Sequence, residues 1–301
     1  MKGMSSINAI IVSGGTHGNE LTGIKLYEKW SVHPEVYARK CPSARLTFVH
    51  TNIEGSRLCR RYADLDLNRS FSAELLALKG DPHNYEISRA QELNALYGPK
   101  GPNTKTDLII DVHNTTSNMG FCLILSTRDP FTMRASAELV HEIPDAFIYY
   151  QPEERSASPY FGTIAKADIC LEIGPQTHGT IRADLFERAE HVVSRYLELA
   201  EEWNRGELQR KPKKKIDVYT QYRDLDYPRD AAHNISAMIH PAVQDHDYRE
   251  VRPGDPMFRS FDGKDIPYAG DRSVWPIFVN EAAYYEKKVA MSLTLKTEEE
   301  W

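Results

Sequence analysis

"INAIIVSGGTHGNELTG", residues 7–23, decides how the rest of the chain reads. An apolar run at 7–12 breaks at Ser13 into a turn carrying Gly14, Gly15 and Gly18, and a helical pattern starts at Leu21 and runs to Trp30. A short isoleucine and valine run that stops at glycine predicts a buried strand. Strand, tight turn and helix in succession open an α/β unit. The turn also holds His17 and Glu20, three residues apart, and a turn as such requires neither.

Glycines after a first strand usually suggest phosphate. Gly14, Gly15, Gly18 and Gly23 do not satisfy G-x-G-x-x-G, and no G-x-x-x-x-G-K-[ST] occurs in the chain. The glycines instead let the backbone turn closely around some other group.

Moving outward, further short apolar runs at 46–49, 108–112, 121–125, 146–150 and 169–173 predict strands. Most are continuous instead of alternating, which suits an interior sheet covered on both faces. Helical patterns fall at 88–96 and 182–203. The whole predicts an α/β domain. At "RKPKKK", residues 210–215, the text changes to short segments punctuated by turns such as "RPGD" (252–255) and "FDGK" (261–264). We place a domain boundary there: an α/β domain over 1–209 and a smaller β-rich domain over 210–301. The basic run has no aromatic interleaving, so it reads as a solvated hinge and not as a nucleic-acid patch.

Composition bounds the function. The 301 residues allow one large domain or two modest ones, and 41% apolar with 27% charged is ordinary for a globular protein. A net charge of -6 gives no support to duplex binding, so no nucleic-acid partner is expected. No apolar run approaches the roughly 20 residues that cross a bilayer, so no membrane partner is expected either. Cys41, Cys59, Cys122 and Cys170 are scattered without a C-x-x-C pair, which reads as reduced thiols in a cytoplasmic protein. Cys122 and Cys170 lie in apolar runs and read as core.

His-x-x-Glu alone is a weak signal, because a turn histidine usually bonds backbone. The rest of the chain strengthens it. "LIIDVHNTTSNMG" puts His113 just past the run at 108–112, and "ADICLEIGP" puts Glu172 near the end of the run starting at Ile169. Ligands of open α/β sheets bind outside the carboxyl ends of strands. If those strands are parallel, His17, Glu20, His113 and Glu172 meet on one rim. Two imidazoles and a carboxylate are a three-ligand catalytic zinc set with a fourth position open. A second carboxylate, for which Glu172 is the candidate, can then move protons. "RRYADLDLNRSF", residues 60–71, reads either as a loop of weak surface ion pairs or as a clamp in which arginine grips a substrate carboxylate. Asp66 and Asp111 can orient ligands or arginines from behind. Tyr149, Tyr150, Tyr160 and Phe161 read as packing or as pocket lining.

With these pieces assembled, "GGTHGNELTG", "DLDLNRSF", "DVHNTTSNMG", "LEIGPQ" and "FVNEAAYYEK" (278–287) occur in order, and the chain resembles the aspartoacylase family of zinc-dependent N-acyl-amino-acid amidohydrolases. This family is related to succinylglutamate desuccinylase and the metallocarboxypeptidases. The resemblance implies a carboxypeptidase-like mixed sheet flanked by helices, with a β-rich C-terminal domain narrowing the channel. It implies one zinc per subunit held by His17, Glu20 and His113, with Glu172 as base and proton shuttle. Arg61 would polarise the scissile carbonyl, and Asn68, Arg69 and Tyr284 would hold the α-carboxylate of a small anionic N-acyl amino acid. A homo-oligomer such as a dimer stays open. The alternatives are a desuccinylase- or carboxypeptidase-like hydrolase acting on another substrate, or an inactive binding protein of the same fold. One departure stands out. Aspartate-specific relatives carry an arginine ten residues before the base, and this chain has Gly162 there, with Ser158 in place of a tyrosine four residues further upstream. The sequence leaves open whether Arg155 supplies the missing charge.

Overall fold

A computed structural model describes residues 4, 6–79 and 83–301. Its strands are β1 (Ala9–Gly14), β2 (Arg45–His50), β3 (Leu108–Asn114), β4 (Gly120–Leu125), β5 (Ala146–Tyr150), β6 (Ala167–Gly174), β7 (Lys215–Leu225), β8 (Ala237–Ile239), β9 (Pro256–Ser260), β10 (Asp265–Pro267), β11 (Trp275–Ile277) and β12 (Met291–Glu300). Among the described residues, nine of them form one mixed sheet in the order β11-β12-β7-β5-β4-β6-β3-β1-β2. β2, β1, β3 and β6 run parallel, so their carboxyl ends share one rim. β4 turns antiparallel to β6. The fold is therefore mixed α/β.

Strand alternation gives the sheet two unlike faces. From β3 and β6, Leu108, Ile110, Val112, Ala167, Ile169, Leu171 and Ile173 join the main core on one face. The helices are α1 (Leu21–Val32), α2 (Pro34–Ala38), α3 (Ile53–Arg57), α4 (Ala73–Ala77), α5 (Tyr85–Tyr97), α6 (Pro130–Glu142) and α7 (Ala183–Asn204), of which α1, α6 and α7 cover this core. Along α7 the stripe Leu185, Ala189, Val192, Tyr196, Ala200 and Trp203 has helical spacing and is buried. α6 escaped the sequence pattern because Thr132, Arg134, Ser136 and Glu138 are buried beside its apolar residues and blur the period. Its start is nevertheless written in the chain: Asp129 caps it, accepting from Phe131 N–H at 2.9 Å, and Pro130 takes the first position.

The other face starts apolar and turns polar. Ile11, Val49 and Ile109 pack with Leu67, Phe71, Ala90, Leu93 and Phe161. Beyond them the same parity brings up Asp111 and His113 on β3, and Asp168, Cys170 and Glu172 on β6. The register places His113 opposite Glu172 and Asp111 opposite Cys170.

The C-terminal portion is β-rich. β8, β9 and β10 form a small antiparallel sheet, with Val243, Val251, Met257, Phe258, Val274 and Leu293 among its buried core. β7, β11 and β12 extend the large sheet, and Val218 of β7 pairs with Ile148 of β5. The basic run at 210–215 makes ion pairs and hydrogen bonds to the helices before it. Lys211 Nζ lies 2.6 Å from Glu202 and Lys214 Nζ 2.7 Å from Glu138, and Arg134 donates to the carbonyls of Leu208 and Lys211. It forms the crossover from α7 to β7. Among the described residues, no helix is long and apolar enough to cross a membrane.

Candidate active site

The glycine turn after β1 works through close approach. A Cβ on Gly14 would fall 2.1 Å from the Gly23 carbonyl, and one on Gly18 would fall 2.0 Å from the Gly55 carbonyl carbon. The turn therefore nests against α1 and against α3 (Ile53–Arg57), aiming His17 and Glu20 at the end of β3. There the ligand atoms of His17, Glu20 and His113 all lie within 4.8 Å of one another, and all three residues are buried. His17 Nδ1 is 2.6 Å from Glu20 Oε1, His113 Nδ1 is 2.9 Å from Glu20 Oε2, and the two Nδ1 atoms are 3.1 Å apart.

The far side of each ring is tied to an acid. His113 Nε2 sits 2.8 Å from Asp111 Oδ2, and His17 Nε2 sits 3.1 Å from Asp66 Oδ1. With those Nε2 protons donated to carboxylates, both Nδ1 lone pairs and the Glu20 oxygens face a common point. Such a set of acceptors in a buried place repels itself unless a cation sits among them. The donor set thus fits a metal ion.

Asp111 is itself fixed by Ser13 and Thr16 hydroxyls at 2.7 and 2.8 Å, from the strand and turn first quoted. Asp66 caps the turn Leu67–Arg69 through Asn68 N–H at 3.0 Å, and Arg61 approaches it at 3.4 Å. Burial alone would raise the Asp66 carboxyl, but His17, Arg61 and Arg69 hold it well below the usual range. Burial likewise works against charge on Glu20, and the adjoining His17 and His113 bring its carboxyl well below the ordinary value.

Glu172 has the opposite surroundings. It is buried, borders the same cavity, and accepts no hydrogen bond from the described residues. Burial pushes its carboxyl up to about 8, with Glu20 and Glu281 adding to the rise against His113 and Arg61. Arg61 Nη1 lies 3.2 Å from Glu20 Oε1. Asn68, Arg69 and Tyr284 also line the cavity. Asn68 Oδ1 accepts Phe161 N–H at 2.9 Å, and the Arg69 guanidinium stacks 4.5 Å from the Tyr160 ring centre. The cavity brings every site residue expected from the sequence to one place. Its empty volume, open mouth included, is about 1120 Å³, enough for a small N-acyl amino acid.

Other calls divide. Tyr149 and Tyr160 line the cavity; Phe161 is fully buried against Phe71 at 5.2 Å, and Tyr150 packs at the edge of the main core. Cys170, read as core, sits on the cavity floor and Cys122 is fully buried; none of the four cysteines is paired. Lys287 is a lining residue that motif reading passed over. It sits one helical turn after Tyr284, its Nζ 5.0 Å from that ring centre and 3.5 Å from Asp66, and burial lowers its amine to about 8. Its spacing from Tyr284 was the available signal. Arg155 is absent from the lining. It donates to Ser126 Oγ, Asp168 Oδ1 and the carbonyls of Gly162 and Ala165.

A mixed α/β sheet whose strand ends bring two imidazoles and a carboxylate beside a further buried acid marks a class of proteins whose site could hold a metal ion. Comparison with known proteins narrows that class. The family model for the succinylglutamate desuccinylase/aspartoacylase catalytic domain matches residues 6–200, and that for the AstE/AspA barrel-sandwich hybrid domain matches residues 214–296. A probable aspartoacylase of Trichodesmium erythraeum is 40% identical, over 97% of this chain and 98% of its own length. An N-acyl-aromatic-L-amino acid amidohydrolase (carboxylate-forming) of Mus musculus is 40% identical, over 93% of this chain and 88% of its own. The crystal structure of murine aminoacylase 3 superposes with a TM-score of 0.92 at 37% identity, covering 99% of this chain and 98% of that one. The chain belongs to the succinylglutamate desuccinylase/aspartoacylase family.

Proposed function

We propose that the protein is a zinc-dependent hydrolase that splits the amide bond of an N-acyl amino acid into a carboxylate and a free amino acid. The observation that carries the reading is the meeting of His17, Glu20 and His113 within 4.8 Å beside the unpartnered acid Glu172. The relatives at 40% identity named for aspartoacylase and N-acyl-aromatic amidohydrolase activity support the same reaction class.

His17, Glu20 and His113 would hold the metal, and their nitrogen and oxygen donors are the mixture that catalytic zinc takes. Zinc supplies Lewis acidity beside the scissile carbonyl and lowers the pKa of water there to about 7. The protein's own groups do the rest. Glu172 takes a proton from the attacking water and delivers it to the departing amine nitrogen as the C–N bond breaks. Arg61 donates to the carbonyl oxygen as charge grows on it. Arg69 grips the α-carboxylate, with Tyr284 and the Asn68 Nδ2 donor, the Asn68 Oδ1 being engaged by Phe161 N–H. We assign the chemistry to residues 1–209 and a channel-narrowing role to residues 210–301, because Phe278, Tyr284 and Lys287 from the second portion border the cavity.

The test is metal analysis with a panel of N-acetyl amino acids and N-succinylglutamate. Near-stoichiometric zinc, loss of hydrolysis on chelation and its return with added zinc are expected. Full hydrolysis in the stripped protein would overturn the metal assignment, and preference for N-succinylglutamate would move the activity to the desuccinylase side.

A further inference from the structure

The floor of the cavity extends beyond the proposed metal site. Glu172, Cys170 and Asp168 alternate along one face of β6 and all border the cavity. Four residue rises along the strand separate the first from the last, about 13 Å. Asp168 is 8% exposed, and only one of its carboxylate oxygens is engaged. Oδ1 accepts from Ser126 Oγ at 2.7 Å and from the Arg155 guanidinium. Oδ2 accepts from no described residue and faces Gly162, where a Cβ would lie 2.5 Å away and overlap it. The absence of a side chain at 162 is therefore what leaves this oxygen uncovered.

Arg155 and Lys100, the cations packed behind this end, are already engaged with protein acceptors. Arg155 spends its guanidinium on Asp168, Ser126 and two carbonyls. Lys100 donates to the carbonyls of Phe71 and Ser158 and to Thr163 Oγ1, and neither cation borders the cavity. Glu153 and Gln151 do border it. Arg61 and Lys287 gather instead around Asp66, toward the proposed metal site. A substrate carboxylate reaching Asp168 would set acceptor against acceptor at Oδ2, whereas an N–H donor would complete that oxygen.

We propose that the Asp168 end of the cavity binds the amino-acid side chain of the substrate and selects a long side chain ending in a cationic N–H donor, of the lysine or arginine type, over an acidic one. The assignment to the side chain, and not to the acyl group, follows from the turn at 160–162. That turn uncovers Asp168 and also contacts Asn68 and Arg69, the proposed α-carboxylate grip, through Phe161 N–H and the Tyr160 ring. Of the two groups that Cα carries beside its carboxylate, the acylated nitrogen is committed to the proposed metal site, which leaves the side chain to run toward Asp168. The proposal rests on the amidase reading for its substrate but not for its binding chemistry.

The experiment measures hydrolysis of Nα-acetyl-lysine, Nα-acetyl-norleucine and N-acetylaspartate by the zinc-loaded protein, and calorimetric binding of free lysine, norleucine and aspartate. Norleucine matches the carbon stem of lysine without the amine. Lysine is expected to lead norleucine at least tenfold, and aspartate at least a hundredfold, in kcat/KM and in affinity. Asp168→Asn should bring the lysine-to-norleucine ratio close to one. Gly162→Ala should do the same without changing the carboxylate chemically, because its Cβ overlaps Asp168 and must push Oδ2 out of its present place, so the test survives if Asp168→Asn does not fold. Norleucine or aspartate matching lysine in the unmodified protein overturns the proposal, as does a ratio that Gly162→Ala leaves unmoved. Selective lysine binding without hydrolysis of any acetyl amino acid would retire the amidase reading and uphold the donor-selective pocket.

Discussion

The two faces of β3 and β6 are written by alternate residues of the same strands and have opposite chemistry. Leu171 points into the helix-covered core and is 1% exposed; its neighbour Glu172 borders the cavity and is 8% exposed. One face contributes apolar area and stability, and the other holds buried acids and imidazoles at a cost in desolvation. The lesson is that a strand buried on both sides need not be apolar on both sides. A cavity can serve as one of its covers.

The sharpest way to break the comparison is to change the two neighbours separately. Glu172→Gln should lower kcat by about a thousandfold or more while zinc content and melting temperature hold. Near-normal turnover would remove Glu172 from the chemistry. The same group sets a pH limb. A base acts deprotonated, and burial raises this carboxyl from 4.5 toward about 8, so kcat/KM should fall as pH drops through an apparent pKa between those values. A bound dication pulls that pKa toward the lower end. A pH–rate profile flat from 4.5 to 8 would contradict the assignment.

Leu171→Ala should instead cost roughly 2–5 kcal/mol of stability by urea unfolding, with turnover per folded molecule far less affected than by Glu172→Gln. Equal losses of turnover in the two variants would mean that the faces are not functionally distinct. A smaller effect belongs to the second layer of the polar face. Asp111→Asn weakens the acceptor behind His113 and should reduce zinc affinity about 10–100-fold, read by competition with a chelator. The smallest expected change is for Arg69→Ala, a roughly tenfold rise in KM with kcat changed less, because the α-carboxylate it is proposed to grip lies away from the scissile bond. An unchanged KM would remove Arg69 from the grip.

Much of this was legible in the chain. The run before Ser13, the glycine turn and the pattern from Leu21 gave β1 and α1, and the apolar runs gave β2 to β6 within a few residues. His17, Glu20, His113 and Glu172 stood out because each is polar at the end of an apolar run. Residues 60–71 offered an arginine clamp as one of two readings, and the particular roles of Arg61, Asn68, Arg69 and Tyr284 came from family resemblance. α6 was hidden by buried polar residues. Lys287 and Cys170 were passed over or misread because a lysine in a charged segment and a cysteine in an apolar run look ordinary without their neighbours.

By itself the sequence determined the strand-turn-helix grammar, the family and the candidate donors, since periodicity, turn chemistry and motif spacing are local and survive in one dimension. Tertiary structure decided which polar residues share one cavity, that Arg155 is spent on Asp168 and backbone carbonyls, and that Gly162 leaves an Asp168 oxygen uncovered. Those facts depend on register between strands and on contacts between side chains that the chain order does not encode.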